Sequence, residues 1–270
     1  NDRLIERLRA TMELDRLQRE LRVARQIQHS MLPSSSPLFP EHPEIDCDGR
    51  MRAARDVGGD FYDAFYIDSR RVFLTIGDVC GKGMPAALFM VRALTLLRSE
   101  ATRRTGAQRG QLQRIVGRAN RLLCAGNDNG LFVTVFCGIL DTANGMLSFV
   151  NAGHNPPLIA SPNGACRPLA EPRNPIMGLV EDLSFSAGSS ALDRGDMLVL
   201  HTDGITEAED PRGAMFGEER LASLVGGLAT RSSSAAIEAT IAEVDRFCAG
   251  REQSDDLTLL ALVFRGPPTE

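Results

Sequence analysis

The chain has 270 residues, 43% hydrophobic and 24% charged, enough for one large domain with an appendage. A net charge of -5, with no basic stripe interleaved with aromatics, argues against nucleic acid as a partner. Six cysteines without a CxxC pair or histidines at zinc spacing read as reduced thiols in a cytoplasmic protein. No apolar run reaches membrane-spanning length, and even Ala86 to Leu97 is broken by Arg92. The chain opens on asparagine and enters a charged helix at once. That pattern is expected of a piece of a longer protein, whose remainder could hold a sensor or a membrane anchor.

Residues 1 to about 32 contain no Gly or Pro and are expected to form one helix. Leu14, Leu17, Leu21, Ala24, Gln28 and Met31 alternate by three and four, a heptad seam with charged flanks. Leu4, Leu8 and Met12 follow another register. The pattern favours a dimerising signalling helix; the alternative is an amphipathic helix lying on its own domain. Prolines from Pro33 to Pro43 end it, dividing the chain into a helix (1–32), a linker (33–44) and a main domain (45–266).

In the main domain, strands are expected over Asp46–Ala54, Phe61–Ile67 and Arg71–Asp78. Pro85 suits a first helical turn, and an apolar helix follows to about Leu97, then a second over Leu112–Cys124. Strands return at Leu131–Leu140 and Met146–Val150, around a turn at Asp141–Gly145, and again at Pro157–Ala160, Phe185–Ala191 and Met197–His201. Two late helices, Glu218–Val225 and Ser234–Cys248, precede a last strand, Leu257–Phe264. Paired helices between blocks of meandering strands point to an α+β fold of stacked sheets flanked by helices, not a parallel βαβ order.

Four acidic motifs carry the chemistry: GGDFYD at Asp60, GDVCGKG at Asp78, TDG at Asp203 and SDD at Asp255. Each aspartate reads as ending or following a strand-like run, with glycine or a second aspartate beside it. Any one alone reads more readily as a turn or cap residue. Four together suggest carboxylates gathered around hard divalent cations, Mg²⁺ or Mn²⁺, since no soft ligand accompanies them. Two such ions would offset the mutual repulsion and turn a bridging water into a nucleophile. Gly58, Gly59, Gly77 and Gly204 would let the backbone come close.

The ordered series ARQIQHSMLP, ARDVGGDFYD, GDVCGKGMPAAL, NAGHNPPL, TDGITEA, FGEERL and SDDLTLLAL resembles the SpoIIE/RsbU branch of the metal-dependent (type-2C, PPM) serine/threonine protein phosphatases. The likeness runs from about Ala24 to Leu262. It implies a four-layer α-β-β-α sandwich and a binuclear Mn²⁺/Mg²⁺ site. By resemblance, Asp78 would bridge both ions with the backbone carbonyl of Val79, Asp60 would hold one ion, and Asp203 and Asp255 the other. Asp256, where the wider family often has asparagine, would stand behind the ligands or replace one. The implied substrate is a small phosphorylated STAS-domain protein, an anti-sigma-factor antagonist in partner-switching signalling, with regulation through the N-terminal helix.

Eukaryotic members carry a histidine two residues after the bridging aspartate; this chain has Cys80. Loss of a general acid would cost about 10²–10⁴-fold unless water donates the proton. His154 is expected to brace a proline turn and His201 to be a packed strand residue. Lys82, the only lysine among 30 basic residues, and Arg55 are candidate phosphate contacts; a loop lysine and a surface ion pair are the plain alternatives. The rival to a phosphatase is a non-catalytic phosphatase-fold module that dimerises and binds a partner. A two-metal nuclease fits the carboxylates but lacks a basic groove.

Overall fold

The computed structural model of the chain describes residues 2–103, 110–169 and 171–267. Two sheets lie at its centre. The first, sheet A, has strand order β1 (Ile45–Arg52), β11 (Leu257–Phe264), β10 (Met197–His201), β6 (Leu158–Ala160) and β7 (Cys166–Pro168). Sheet B runs β2 (Phe61–Tyr66), β3 (Arg71–Val79), β4 (Val133–Asp141), β5 (Met146–Ala152) and β8 (Arg173–Asn174), with β9 (Gly188–Ala191) also on β5. The named pairs are antiparallel apart from a two-residue parallel contact between β5 and β8.

Helices α2 (Met84–Thr102) and α3 (Gln111–Cys124) pack on sheet B, while α5 (Glu218–Leu228) and α6 (Ser233–Cys248) pack on sheet A. The reason lies in strand periodicity. Successive strand residues face opposite sides, so in β10 and β11 Leu198, Leu200, Leu260 and Leu262 join the core that contains Phe73, Ile76 and Phe136 of sheet B. Their neighbours Met197, Val199, Leu259 and Ala261 pack instead with Val225, Ile237 and Val244 of α5 and α6. Both strands are thus buried throughout and, His201 and Thr258 aside, apolar, because both faces are covered. Pro85 sits in the first turn of α2, and Ser232 caps α6 by accepting the Ala235 N–H.

Helix α1 spans Asp2–Met31. Its expected seam is buried only toward its end: Leu14 and Leu17 are 55% and 47% exposed, Gln28 is buried, and Met31 packs on the core. The side chains of Leu4 and Leu8 lie outside the described residues. Among the described residues no helix is long and apolar enough to cross a membrane. The strand expected over Phe185–Ala191 shrinks to Gly188–Ala191, and β7, β8 and the one-turn α4 (Asp203–Thr206) were not anticipated. Two to four residues are too few to carry a period.

Candidate functional site

Two antiparallel pairs assemble the acidic cluster through register alone. In sheet B, Phe61 faces Gly77, so Asp60, just before β2, lies beside Asp78, just after Gly77. The Val79 N–H donates to Gly59 O at 3.3 Å, carrying the ladder one step further. In sheet A, His201 faces Leu259 and the Thr202 N–H donates to Thr258 O at 3.2 Å, bringing Asp203 after β10 near Asp255 ahead of β11. The two sheets then meet: the hydroxyls of Thr202 and Thr258 both donate to Asp60 Oδ2, at 2.7 and 2.6 Å. One expectation is corrected here. Asp60 and Asp255 precede their strands, because where one antiparallel strand ends its partner begins.

The proximity has electrostatic consequences. Burial pushes the Asp78 carboxyl up to about 7, helped by the negative charges of Asp203 and Asp255. Asp60, buried, is raised well above the ordinary range by burial and then by Asp78 and Asp256, against the pull of the two threonine hydroxyls. Asp203 is raised by burial and by Asp255. Glu207 is raised by burial and by the charges of Asp203 and Asp255, which adds a further acid at the margin.

The donor set tests whether a metal fits. Among the described residues no three His, Cys, Asp or Glu side chains form a ready-made cage. Yet a Cβ at Gly59 would sit 2.9 Å from Val79 O and 3.5 Å from Asp78 Oδ1, so the missing side chain leaves a hollow beside these two oxygens. Four carboxylates and one carbonyl, all hard oxygen donors with mutual repulsion to offset, suit Mg²⁺ or Mn²⁺. The residues fit such ions.

Asp256 has a different role from its neighbour. It is buried, and Oδ2 accepts the N–H of Gly59 at 2.6 Å and of Asp60 at 3.4 Å, while Oδ1 accepts that of Ala54 at 2.9 Å. It therefore clamps the loop that presents Asp60. Gly204 allows this closeness, since a Cβ there would lie 1.9 Å from Asp256 O. Lys82 pairs with Asp255 at 2.7 Å; Arg55 is exposed. The Cys80 thiol accepts the Phe132 N–H at 3.1 Å, and all six cysteines are unpaired. His154 is buried with Nδ1 on the Thr134 hydroxyl (2.9 Å) and Nε2 on His201 O (3.1 Å), and Asn151 brackets its backbone. Burial lowers it to about 3, and His201 to about 4, so both are neutral braces.

Three contributors escaped the sequence reading: Thr202, Thr258 and the clamp made by Gln28. The Gln28 side chain donates to Gly58 O at 2.7 Å and accepts the Gly58 N–H at 3.1 Å, tying α1 to the loop that carries Asp60. Each had a signal. Gln28 interrupts an apolar seam, and Thr258 interrupts an apolar strand; a polar group there needs a buried partner.

A family model described as Stage II sporulation protein E (SpoIIE) matches residues 68–265. Protein IcfG of Synechocystis sp. is 32% identical over 268 residues, covering 90% of this chain and 41% of that protein. Phosphoserine phosphatase RsbU of Bacillus subtilis is 26% identical over 194 residues, covering 72% and 55%. The chain thus spans about half the length of these relatives. The SiaA-PP2C domain of Pseudomonas aeruginosa superposes with a TM-score of 0.81 at 20% identity, covering 93% of this chain and 98% of the other. That likeness is one of fold.

Proposed function

The chain belongs to the SpoIIE family, and on that premise we propose that it is a metal-dependent protein serine/threonine phosphatase. The observation that carries the reading is the meeting of Asp60, Asp78, Asp203 and Asp255 where two antiparallel pairs end together. Asp60, Asp78, the Val79 carbonyl, Asp203 and Asp255 would hold two Mn²⁺ or Mg²⁺ ions. When bound, such ions supply a water activated near neutral pH and a clamp for the phosphoryl oxygens. The chain's own part is to hold Asp60 through two hydroxyls, to fix its loop through Asp256, and to place Lys82 at the mouth. Asp256, with both oxygens spent on backbone N–H groups, is then a positioning residue. Arg55 remains a proposed phosphate contact on the exposed loop ahead of Asp60.

The family supports, as the substrate, a small phosphorylated STAS-domain-like protein in partner-switching signalling. The packing of α2 and α3 on one sheet and of α5 and α6 on the other supports an α-β-β-α sandwich over 45–266, with 1–32 as the signalling helix and 33–44 as the linker. Exposed Leu14 and Leu17 of the seam support pairing of α1 with a second copy, and the Gln28–Gly58 clamp supports a route from that pairing to Asp60.

Hydrolysis of p-nitrophenyl phosphate and of a phosphoserine peptide, with and without Mn²⁺, tests the reading. Metal-dependent turnover abolished in Asp78→Asn and Asp203→Asn is the expected result. The second reading, a binding module, draws on Cys80, whose thiol is occupied by the Phe132 N–H where relatives of the wider family have a histidine. Tight partner binding with no turnover in any metal would favour it.

A further inference from the structure

Lys82 stands in an unusual relation to the acidic cluster. Its ammonium lies 2.7 Å from Asp255 Oδ2 and donates to Ser254 O at 2.8 Å. It sits between Gly81 and Gly83, whose φ angles are +87° and +79° and at which a Cβ would meet nothing within 4 Å. Its partner is one of the four carboxylates assigned to the metal. A cation already rests on one of the ligands.

The choice of residue is informative. Elsewhere this chain builds its two-pronged ion pairs from arginine: Arg52 with Asp245, Arg70 with Asp141 and Arg98 with Asp63 each bond both carboxylate oxygens. A planar guanidinium matches a carboxylate and holds it in fixed geometry, whereas an ammonium is a compact charge on a flexible stem that changes partners readily. The only lysine among 30 basic residues is the one paired with Asp255. Both members are partly exposed, with side chains 42% and 36% accessible, so exchange needs no unpacking.

We propose that Lys82 is a tethered counter-cation: it holds Asp255 in the metal-free chain, yields it on metal loading, and turns to the substrate phosphate. This rests on the phosphatase reading above. It also accounts for both halves of the site with one charge. In the metal-free chain the ammonium lessens repulsion among Asp78, Asp203 and Asp255. Once Asp255 has another cation, the same charge is left beside the place where a dianionic ester arrives.

Calorimetric titration of Mn²⁺ into the wild-type chain, Lys82→Met and Lys82→Gln, at one pH and ionic strength, tests this. Removing an exposed competing pair should tighten Mn²⁺ binding about fivefold in both variants, the equivalent of about 1 kcal/mol. The KM for p-nitrophenyl phosphate should rise about as much. Lys82→Arg, which grips Asp255 with a fork, should bind Mn²⁺ no more tightly than wild type. Wild-type binding with unchanged or weaker Mn²⁺ affinity in Lys82→Met and Lys82→Gln would overturn the inference alone. Failure of the wild-type chain to bind Mn²⁺ would overturn the phosphatase reading and this inference together.

Discussion

Asp255 and Asp256 are adjacent in sequence, yet isosteric replacement should separate them sharply. Asp256 is buried and takes two close backbone N–H bonds, from Gly59 and Ala54, on its two oxygens. In Asp256→Asn one oxygen becomes an NH₂ group facing a backbone donor. One charge-assisted bond is lost, worth about 1.5–3 kcal/mol, and a buried N–H is left without an acceptor. We expect the metal-free domain to lose about 3 kcal/mol. With a urea slope of about 3 kcal/mol per M, the midpoint falls by about 1 M. Asp255→Asn keeps the oxygen that accepts the Asp256 N–H at 2.9 Å and gives up only a half-exposed pair with Lys82. Such a pair is worth about 1 kcal/mol or less, and removing its charge also relieves Asp78 and Asp203. Its midpoint should stay within about 0.3 M of wild type, while Mn²⁺-dependent turnover is lost. Urea melts followed by circular dichroism in EDTA, with p-nitrophenyl phosphate turnover alongside, make the measurement. Equal destabilisation by the two variants, or a stable Asp256→Asn, would refute the assignment of the first to the ion and the second to the loop.

The double variant Thr202→Val, Thr258→Val strips both hydroxyl donors from Asp60 Oδ2 and should weaken Mn²⁺ binding by about 10–100-fold, the usual effect of removing groups that orient a ligand; unchanged affinity by calorimetry would count against it. The metal-free protein should lose thermal stability as pH rises from about 6.5 to 8. Asp78, raised from 3.8 to about 7, keeps a proton in the fold that the unfolded chain has released, so its contribution disappears as pH passes its folded value. Below about 6.5 the lowered His154 and His201 act with the opposite sign, since the unfolded chain then binds protons the fold refuses. Melting curves across that range check the sign, and a rise in the EDTA melting temperature between pH 6.5 and 8 would contradict it. Gln28→Leu should leave α1 intact but strip Gly58 of both its side-chain partners, costing about 1–3 kcal/mol locally. Hydrogen exchange over residues 55–66 should accelerate, and unchanged exchange would remove the link from α1 to the loop.

Much of this protein was legible because its signals are local. Period-two alternation and all-apolar runs marked β3, β10 and β11; a proline in a first turn marked α2; an uninterrupted charged stretch marked α1. Glycine beside aspartate marked the cluster. Failures occurred where a residue's partner is remote in sequence. Asp255 and Asp256 look alike as letters, and only the approach of Gly59 and Ala54, some 200 positions away, makes the second a clamp. Lys82 could be read as a phosphate contact or as a loop lysine, and its pairing with Asp255 appears only in the fold.

The amino-acid sequence by itself determined which segments become strands and helices, which oxygen donors are available, and to which family the chain belongs. These depend on composition and spacing along the chain. Tertiary structure alone decided which carboxylates face one another, which are spent on backbone N–H groups, and that α1 reaches the acidic loop through Gln28. Hydrogen bonding and charge act over a few ångströms, and only strand register brings residues 60, 78, 203 and 255 within that reach.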